Sequence, residues 1–543
     1  MLKNPKYIYG PSDRLIPASI NFGEFMLKKI NEHNDKVALI NGSTHDQQTY
    51  HQLQQEAINL AVSLTHLGVK KGDVIAISSE NRREFWSTLI GSSCTGAIVT
   101  TINVGYTNDE LKHVMSIAKP KYIFCSPFAY KSHMKIYKSL GHLKQIFLFG
   151  DEGPSNTILY KDLAIPSNDV TKNNVKRYKI TRNVTFEEFQ VVDVEGQNDV
   201  VLILYSSGTT GLPKGVMLTH LNVITLCSPS FVLPPLKPLN ITPWYHAMGL
   251  ISTLANFCKG VTSVYLPKFE VELYLKTIEK YEISQLAVVP AMLIALCKSN
   301  LQYDTSSVQI IFCGAAPLYE ETAQAVKKRF PSAQAVLQGY GMTETTLAIS
   351  VNFNPEKLGS VGSVISHTVA KVVNPETREP LGPNEKGEIC VKSIMGMKGY
   401  VGKDRREDFD DEGFLKTGDI GYYDEEGYLY IVDRLKELIK YKAYQVPPAE
   451  IEAVLLKHPD IRDAGVIGIP HPTAGEVPLA FVVLQPGRTL TEKDVQDFVA
   501  ERLSNPKHLR GGVKFINEIP KNQTGKILRK ELRKMAKSTK SKL

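Results

Sequence analysis

Ser206-Ser207-Gly208-Thr209-Thr210-Gly211-Leu212-Pro213-Lys214-Gly215 follows directly on the apolar run Val200 to Tyr205. Short hydroxyl side chains offer donors, glycines let backbone N–H groups approach an anion without Cβ interference, and Lys214 adds a point charge. The stretch reads as a loop built to hold phosphate. A flexible Ser/Gly linker would share the composition, but not the Pro-Lys-Gly ending pressed against Val216-Met217-Leu218. The spacing is not that of a Walker A loop, because Pro213 precedes the lysine and Gly215 follows it where a Ser or Thr should stand.

Further groups able to do chemistry are spread along the chain. Gln338-Gly339-Tyr340-Gly341-Met342-Thr343-Glu344 flanks an aromatic with two glycines and ends on a hydroxyl and a carboxylate. A flat base can lie along such a backbone, and Glu344 can hold a magnesium ion bridging phosphate oxygens. Asp419, in Lys416-Thr417-Gly418-Asp419, precedes an expected hairpin, and Asp433-Arg434 ends it. A carboxylate can accept from both ribose hydroxyls, and an arginine can pair with ribose or α-phosphate oxygens. Lys526 follows a Thr-Gly turn in Pro520 to Lys526, from which its side chain can reach out. Read singly, each of these is more commonly a turn or a solvated charge.

Positioning such residues needs a scaffold. Strand-length apolar runs alternate with longer amphipathic segments from about residue 50: Val74 to Ser78, Ala97 to Ile102, Tyr122 to Cys125, Val200 to Tyr205, Gln285 to Val289 and Ile310 to Cys313. This alternation predicts an α/β fold with doubly wound, mainly parallel, buried sheets in a large N-terminal domain. After about residue 360 the texture changes to short strands and tight turns, including Ala370 to Val373, Glu388 to Lys392, and Tyr422-Tyr423 joined through Asp424-Glu425-Glu426-Gly427 to Tyr428 to Val432. That predicts a β-rich subdomain over about 360–433, followed by a hinge at 434–436 and a small mobile α+β C-terminal domain over 437–543.

Composition narrows the function. At 543 residues the chain exceeds what one core usually supports, and 43 % hydrophobic with 22 % charged residues is ordinary for globular proteins. Seven cysteines show no CxxC pair or metal-ligand spacing, so reduced buried thiols are expected. The formal charge of +8 is concentrated after residue 520, where nine lysines and arginines face Glu531 alone. No basic face for nucleic acid remains. No apolar run is long enough to span a bilayer and no apolar signal core follows Met1. Ser541-Lys542-Leu543 reads as a peroxisomal address, predicting an import receptor as partner and a peroxisomal location.

The phosphate loop resembles, over its full length, that of the adenylate-forming superfamily of acyl-CoA synthetases, 4-coumarate-CoA ligases and beetle luciferases. The whole chain is similar to the luciferase branch, including Leu509-Arg510-Gly511-Gly512 and the SKL ending. The resemblance implies that Ser206, Ser207, Gly208, Thr209, Thr210, Gly211 and Lys214 contact ATP phosphates, and that Gln338, Gly339, Tyr340, Gly341, Met342 and Thr343 contact the nucleotide. Gly314, Ala315 and Ala316 would form the adenine-side wall, Asp419 and Arg434 would hold ribose or α-phosphate, and Glu344 would bind the metal. Lys526 would neutralise charge as a carboxylate attacks the α-phosphorus, with Thr343, Glu344, Arg434 and His246 beside it. His246 would lie between the phosphates and an acyl pocket that includes Leu226, Met248, Leu347 and Ala348.

Two reactions cannot easily share one pose, because pyrophosphate must leave before a thiol enters. Rotation about Lys436 would resolve this, presenting Lys526 first and then the 440 to 445 strand, with Lys440, Lys442, Ala443 and Gln445, for coenzyme A. The family normally has glycine where Ala443 stands, which puts efficient thioester formation in question.

Three acyl-pocket positions depart from the firefly pattern. Leu226 stands where an arginine is expected, Met248 where a phenylalanine would stack, and Leu347 where a serine is expected. A flat heteroaromatic acid wants stacking surface and polar anchors, whereas an alkyl chain wants flexible aliphatic walls. The sequence therefore points to an ATP-, Mg2+- and coenzyme A-dependent ligase for medium- to long-chain fatty acids. The alternatives are a beetle-type luciferase, a 4-coumarate-like aromatic acid ligase, and a non-catalytic nucleotide-binding protein.

Overall fold

The computed structural model describes residues 4–11, 18–166, 179–206, 213–227, 236–313, 320–354, 356–357, 359–442, 444–522 and 525–540. Four sheets organise them. An eight-stranded sheet has the parallel strands Val200–Ser206, Ile98–Ile102, Val74–Ser78, Tyr122–Cys125, Gln145–Leu148 and Ile158–Leu159. A nine-stranded sheet runs parallel through Ala335–Tyr340, Ile310–Cys313, Gln285–Val288, Pro238–Asn240, Ser263–Tyr265 and Val37–Asn41, with antiparallel strands at both edges.

Why these strands read as unbroken apolar runs follows from which cores they serve. In Val74–Ser78, Ile75 and Ile77 join the core shared with the helices Phe22–Asn31, Tyr50–His66, Glu84–Cys94, His220–Cys227 and Ala247–Cys258, while Ala76 between them faces the core under the helices Asn108–Ala118 and Pro127–Ser139. Alternate side chains of a strand leave opposite faces, so burial of both faces demands apolar residues at every position. The shared core contains both tryptophans, Trp86 and Trp244, with ring centroids 4.8 Å apart.

A five-stranded antiparallel sheet is built from Thr368–Val373, Gly387–Ser393, Leu415–Tyr423 and Leu429–Arg434, extended by Tyr7–Tyr9. Sequence reading gave no element to Tyr7–Tyr9, because a three-residue strand has too few positions for periodicity to register. The Asp424–Gly427 turn forms as expected: Gly427 has φ of 83°, and Asp424 Oδ1 accepts from the backbone of Glu426 and Tyr428. Asp419 does not precede the hairpin. It lies inside the strand Leu415–Tyr423, directly opposite Arg434.

The fourth sheet, made of Tyr444–Val446, Ile439–Tyr441, Gly475–Leu484, Ile461–His471 and Val513–Phe515, draws all its strands from beyond residue 437. It has its own core, with Ile451, Leu455, Val466, Ala480 and Val495. The expected 440 to 445 strand is instead a tight hairpin. Ile439–Tyr441 pairs antiparallel with Tyr444–Val446, and Lys442 at the turn has φ of 51°. All seven cysteines are free, six of them buried. Among the described residues no helix is long and apolar enough to cross a membrane.

Candidate active site

The candidate residues sit where strands of the two large sheets end at their carboxyl termini, the usual ligand crevice of open α/β sheets. Ser206 closes the strand Val200–Ser206, Tyr340 closes Ala335–Tyr340, and the chain beyond Pro238–Asn240 leads to His246. Gln338 and Gly339 are therefore strand residues, paired with Asn352 and Val351, rather than part of a turn.

Glu344 is 4 % exposed in a short 3-10 turn, Thr343–Thr345. Its Oε1 accepts from Ser206 Oγ at 2.7 Å and from Tyr400 Oη at 2.7 Å. Among the described residues no lysine or arginine forms a direct ion pair with it. A buried carboxylate met by hydroxyls and not by a cation fits a role as a metal ligand. No group of three or more His, Cys, Asp or Glu side chains suited to a metal exists among the described residues. A magnesium ion at Glu344 would thus have to complete its shell with water and phosphate oxygens, as magnesium commonly does.

The backbone after Glu344 is tightly constrained. Thr346 adopts φ of 66° and is fully buried, its Oγ1 donating to the Met395 carbonyl at 2.6 Å. A Cβ on Gly341 would lie 1.8 Å from the Leu347 carbonyl oxygen, so only glycine lets the two segments close. Positive φ in a β-branched residue costs energy and is held only by its surroundings. Leu347 and Ala348, which follow Thr346, are both half-buried.

Asp419 is 5 % exposed, with Oδ1 paired to Arg434 Nε at 2.9 Å and Oδ2 accepting from Tyr340 Oη at 2.7 Å. Burial raises its pKa, while Arg434, the Tyr340 hydroxyl and Lys526 oppose that shift and Glu344 adds to it. The cross-strand register explains the pairing with Arg434, since directly opposed side chains in an antiparallel ladder meet. Burial also lowers the pKa of His246, which favours the neutral imidazole.

Lys526 comes to this cluster from the C-terminal unit. Its pKa is lowered to about 8, first by burial and then by Arg434, with Asp419 pulling it back up. The loop carrying it approaches the body at Val289: a Cβ built on Gly525 would sit 3.8 Å from Val289 Cγ2. By contrast, Lys440, Lys442 and Gln445 are exposed, as is Lys436 at the connection. The structure thus brings together Ser206, Tyr340, Glu344, Asp419, Arg434 and Lys526, and leaves the 439–446 hairpin outside.

Leu226, near the end of the helix His220–Cys227, and Leu347 both pack at the margin of the shared core, as do Tyr340 and Met342. Met248, half-buried, lies in the first turn of Ala247–Cys258, two residues after His246 at the N-cap. Lys214 opens the strand Lys214–Thr219, its Nζ 4.5 Å from the centroid of the Tyr400 ring. Ser207, Gly208, Thr209, Thr210, Gly211, Gly314, Ala315, Ala316, Ala443 and Ser541-Lys542-Leu543 lie outside the described residues. Sequence reading missed Tyr400, which stands 56 residues from Glu344 in a two-residue strand without any motif.

A family model described as AMP-binding enzyme matches residues 27–401, and one described as AMP-binding enzyme C-terminal domain matches 450–526. A luciferin 4-monooxygenase of Nipponoluciola cruciata is 40 % identical, covering 93 % of this chain and 92 % of its own. A probable 4-coumarate-CoA ligase 3 of Dictyostelium discoideum is 37 % identical, covering 94 % of each chain. The ATP-bound structure of MatB from Rhodopseudomonas palustris superposes with a TM-score of 0.83 at 27 % identity, covering 95 % of this chain and 98 % of its own. The chain belongs to the AMP-binding family of adenylate-forming enzymes, the family of AMP-forming acid-CoA ligases and luciferases.

Proposed function

We propose that the protein is a fatty acid-CoA ligase. A carboxylate oxygen of a medium- to long-chain acid attacks the α-phosphorus of ATP, and the bond to pyrophosphate breaks to leave acyl-AMP. The thiol sulfur of coenzyme A then attacks the acyl carbonyl, loses its proton, and displaces AMP. Lys526 and Arg434 offset charge developing on the α-phosphate, Asp419 takes the ribose hydroxyls, and neutral His246 donates to the reacting carboxylate. Ser206 and Lys214 hold the phosphates, and Glu344 with Thr343 would carry the magnesium ion, whose charge would screen the phosphate oxygens. The hinge at 434–436 would turn the 437–543 unit between the two steps.

One observation carries the choice of acid: Leu226, Met248 and Leu347 are all aliphatic and only half-buried, leaving side-chain surface for an apolar guest. An alkyl chain would gain about 0.8 kcal/mol per buried methylene, or about fourfold in affinity, until the channel ends. Acid-dependent pyrophosphate exchange across alkanoic, cinnamic and heteroaromatic acids, with and without coenzyme A, tests this. Exchange that strengthens stepwise with alkyl length supports the reading, and exchange confined to cinnamic acids or luciferin defeats it. Light from luciferin, ATP and oxygen would instead favour a luciferase. Peroxisomal import through Ser541-Lys542-Leu543 belongs to the same proposal, and removing these three residues from a fluorescent fusion tests it.

A further inference from the structure

Tyr400 lies on a segment that stitches the two halves of the candidate site together. Strand Gly399–Tyr400 leaves the β-rich sheet's neighbourhood and adds to the edge of the eight-stranded sheet, with Tyr400 opposite Val216 and Gly399 opposite Met217. The Lys398 N–H donates to the Met217 carbonyl at 2.9 Å and the Val401 N–H to the Gly215 carbonyl at 2.9 Å. At the other end of the segment, the Met397 N–H donates to the Glu344 carbonyl at 2.8 Å, and Thr346 Oγ1 reaches the Met395 carbonyl. Residues 395–401 therefore span from the Glu344 turn to the strand that begins with Lys214.

The side chain repeats this connection in functional groups. Tyr400 is 7 % exposed. Its hydroxyl donates to Glu344 Oε1, the same oxygen that Ser206 uses, which holds the carboxylate in one orientation and concentrates both bonds on one oxygen. Its ring face meanwhile carries the Lys214 ammonium at 4.5 Å. A ring face restrains a cation without neutralising it; Asp408 acts on Lys214 from farther off, and among the described residues no carboxylate forms an ion pair with it.

We propose that Tyr400 is a positioning residue that acts through both Glu344 and Lys214, aligning the carboxylate for a metal and the ammonium for the phosphates of the same nucleotide. The two functions reside in different parts of one side chain, so they separate by substitution. Tyr400→Phe keeps the ring and removes the hydroxyl; Tyr400→Leu removes both. The inference rests on the adenylation reading above.

The experiment is calorimetric ATP binding without acid substrate, in excess Mg2+ and in EDTA, beside pyrophosphate exchange with the preferred acid. Tyr400→Phe is expected to shrink the Mg2+-dependent gain in ATP affinity by about tenfold while leaving affinity in EDTA at the wild-type value. Tyr400→Leu is expected to lower affinity in EDTA as well, by about threefold, and Lys214→Met should cost less in the Tyr400→Leu background than in the wild-type protein. A Tyr400→Phe enzyme with the wild-type Mg2+ gain overturns the inference, as does a Tyr400→Leu enzyme whose loss simply adds to that of Lys214→Met. Wild-type protein without acid-dependent exchange defeats the adenylation reading itself, which separates the two failures. Because Tyr400→Phe retains the buried ring, it keeps the test decisive should Tyr400→Leu fail to fold.

Discussion

Two lysine-bearing loops of the C-terminal unit face opposite fates. The loop ending in Lys526 is pressed against the body beside Asp419 and Arg434, and burial brings its ammonium to about 8. The hairpin holding Lys440, Lys442 and Gln445 leaves these three residues exposed to solvent. One rigid unit cannot present both to the same cleft, so the orientation seen here suits Lys526, and hence adenylation under the proposed function. The difference also shows what the inward lysine costs: a cation stripped of water beside Arg434 is held at a penalty that an anionic nucleotide would relieve.

What holds the unit in this orientation is built across the Lys436 connection. Asp433, the penultimate residue of the strand Leu429–Arg434, accepts from the Ala449 N–H at 3.0 Å, in the first turn of the helix Pro448–Leu455. The N-cap residue of that helix is Pro447, which supplies no side-chain cap. The body therefore caps a helix of the tail. Arg529 faces Asp433, and its Nη2 donates to both carboxylate oxygens of Glu452, at 2.8 and 2.9 Å. Rotation would have to open the Asp433 cap, whereas the Arg529–Glu452 pair lies within the moving unit.

Removing the inward lysine breaks the comparison most sharply. Lys526→Ala is expected to slow adenylation by about 10² to 10³, by analogy with a lost oxyanion donor, while leaving thioester formation from a premade acyl-adenylate nearly intact. Equal losses in the two half-reactions would show that the loops are not specialised.

A second measurement uses the lowered pKa. Below about 8 Lys526 is the ammonium form, and above it the charge is lost. The kcat/KM of adenylation should therefore decline as pH rises past about 8, approaching about tenfold per pH unit. Lys526→Arg should move that limb upward, and the thioester half-reaction should lack it. Should the limb survive in Lys526→Arg, another group titrates there.

The smallest effect is expected at the cap. Asp433→Ala removes an acceptor worth about 1 kcal/mol, which would bias the unit about fivefold away from the inward orientation. Pyrophosphate exchange should weaken by that factor while conversion of premade acyl-adenylate holds or improves. Comparable weakening of both would make Asp433 a stability residue instead of a latch.

Much of the site was legible because its residues are chained to motifs with local chemistry. The 338–344 segment was read as a Gly-flanked backbone along which a flat base could lie, whereas the contact that requires glycine at 341 is with the Leu347 carbonyl of the chain itself. The strands whose both faces are buried were legible as apolar runs, and Val74–Ser78, Tyr122–Cys125 and Ile310–Cys313 fall where they were expected. Tyr400 was not, since a tyrosine in a two-residue strand carries no local signal and takes its meaning from Glu344 and Lys214. The hairpin at Lys442 was missed for a similar reason, as Lys-Ala offers none of the glycine or asparagine that usually marks positive φ.

Residue order alone determined the alternation of strands and helices, the family signatures, and the inventory of anion-holding side chains, because each depends on neighbours within a few positions. Only the folded chain decided that Asp419 and Tyr340 meet, that two hydroxyls from distant strands share one oxygen of Glu344, and that the tail turns Lys526 inward. Those outcomes depend on sheet register and on packing between remote segments, and both are settled by burial summed over the whole molecule and not by any local stretch.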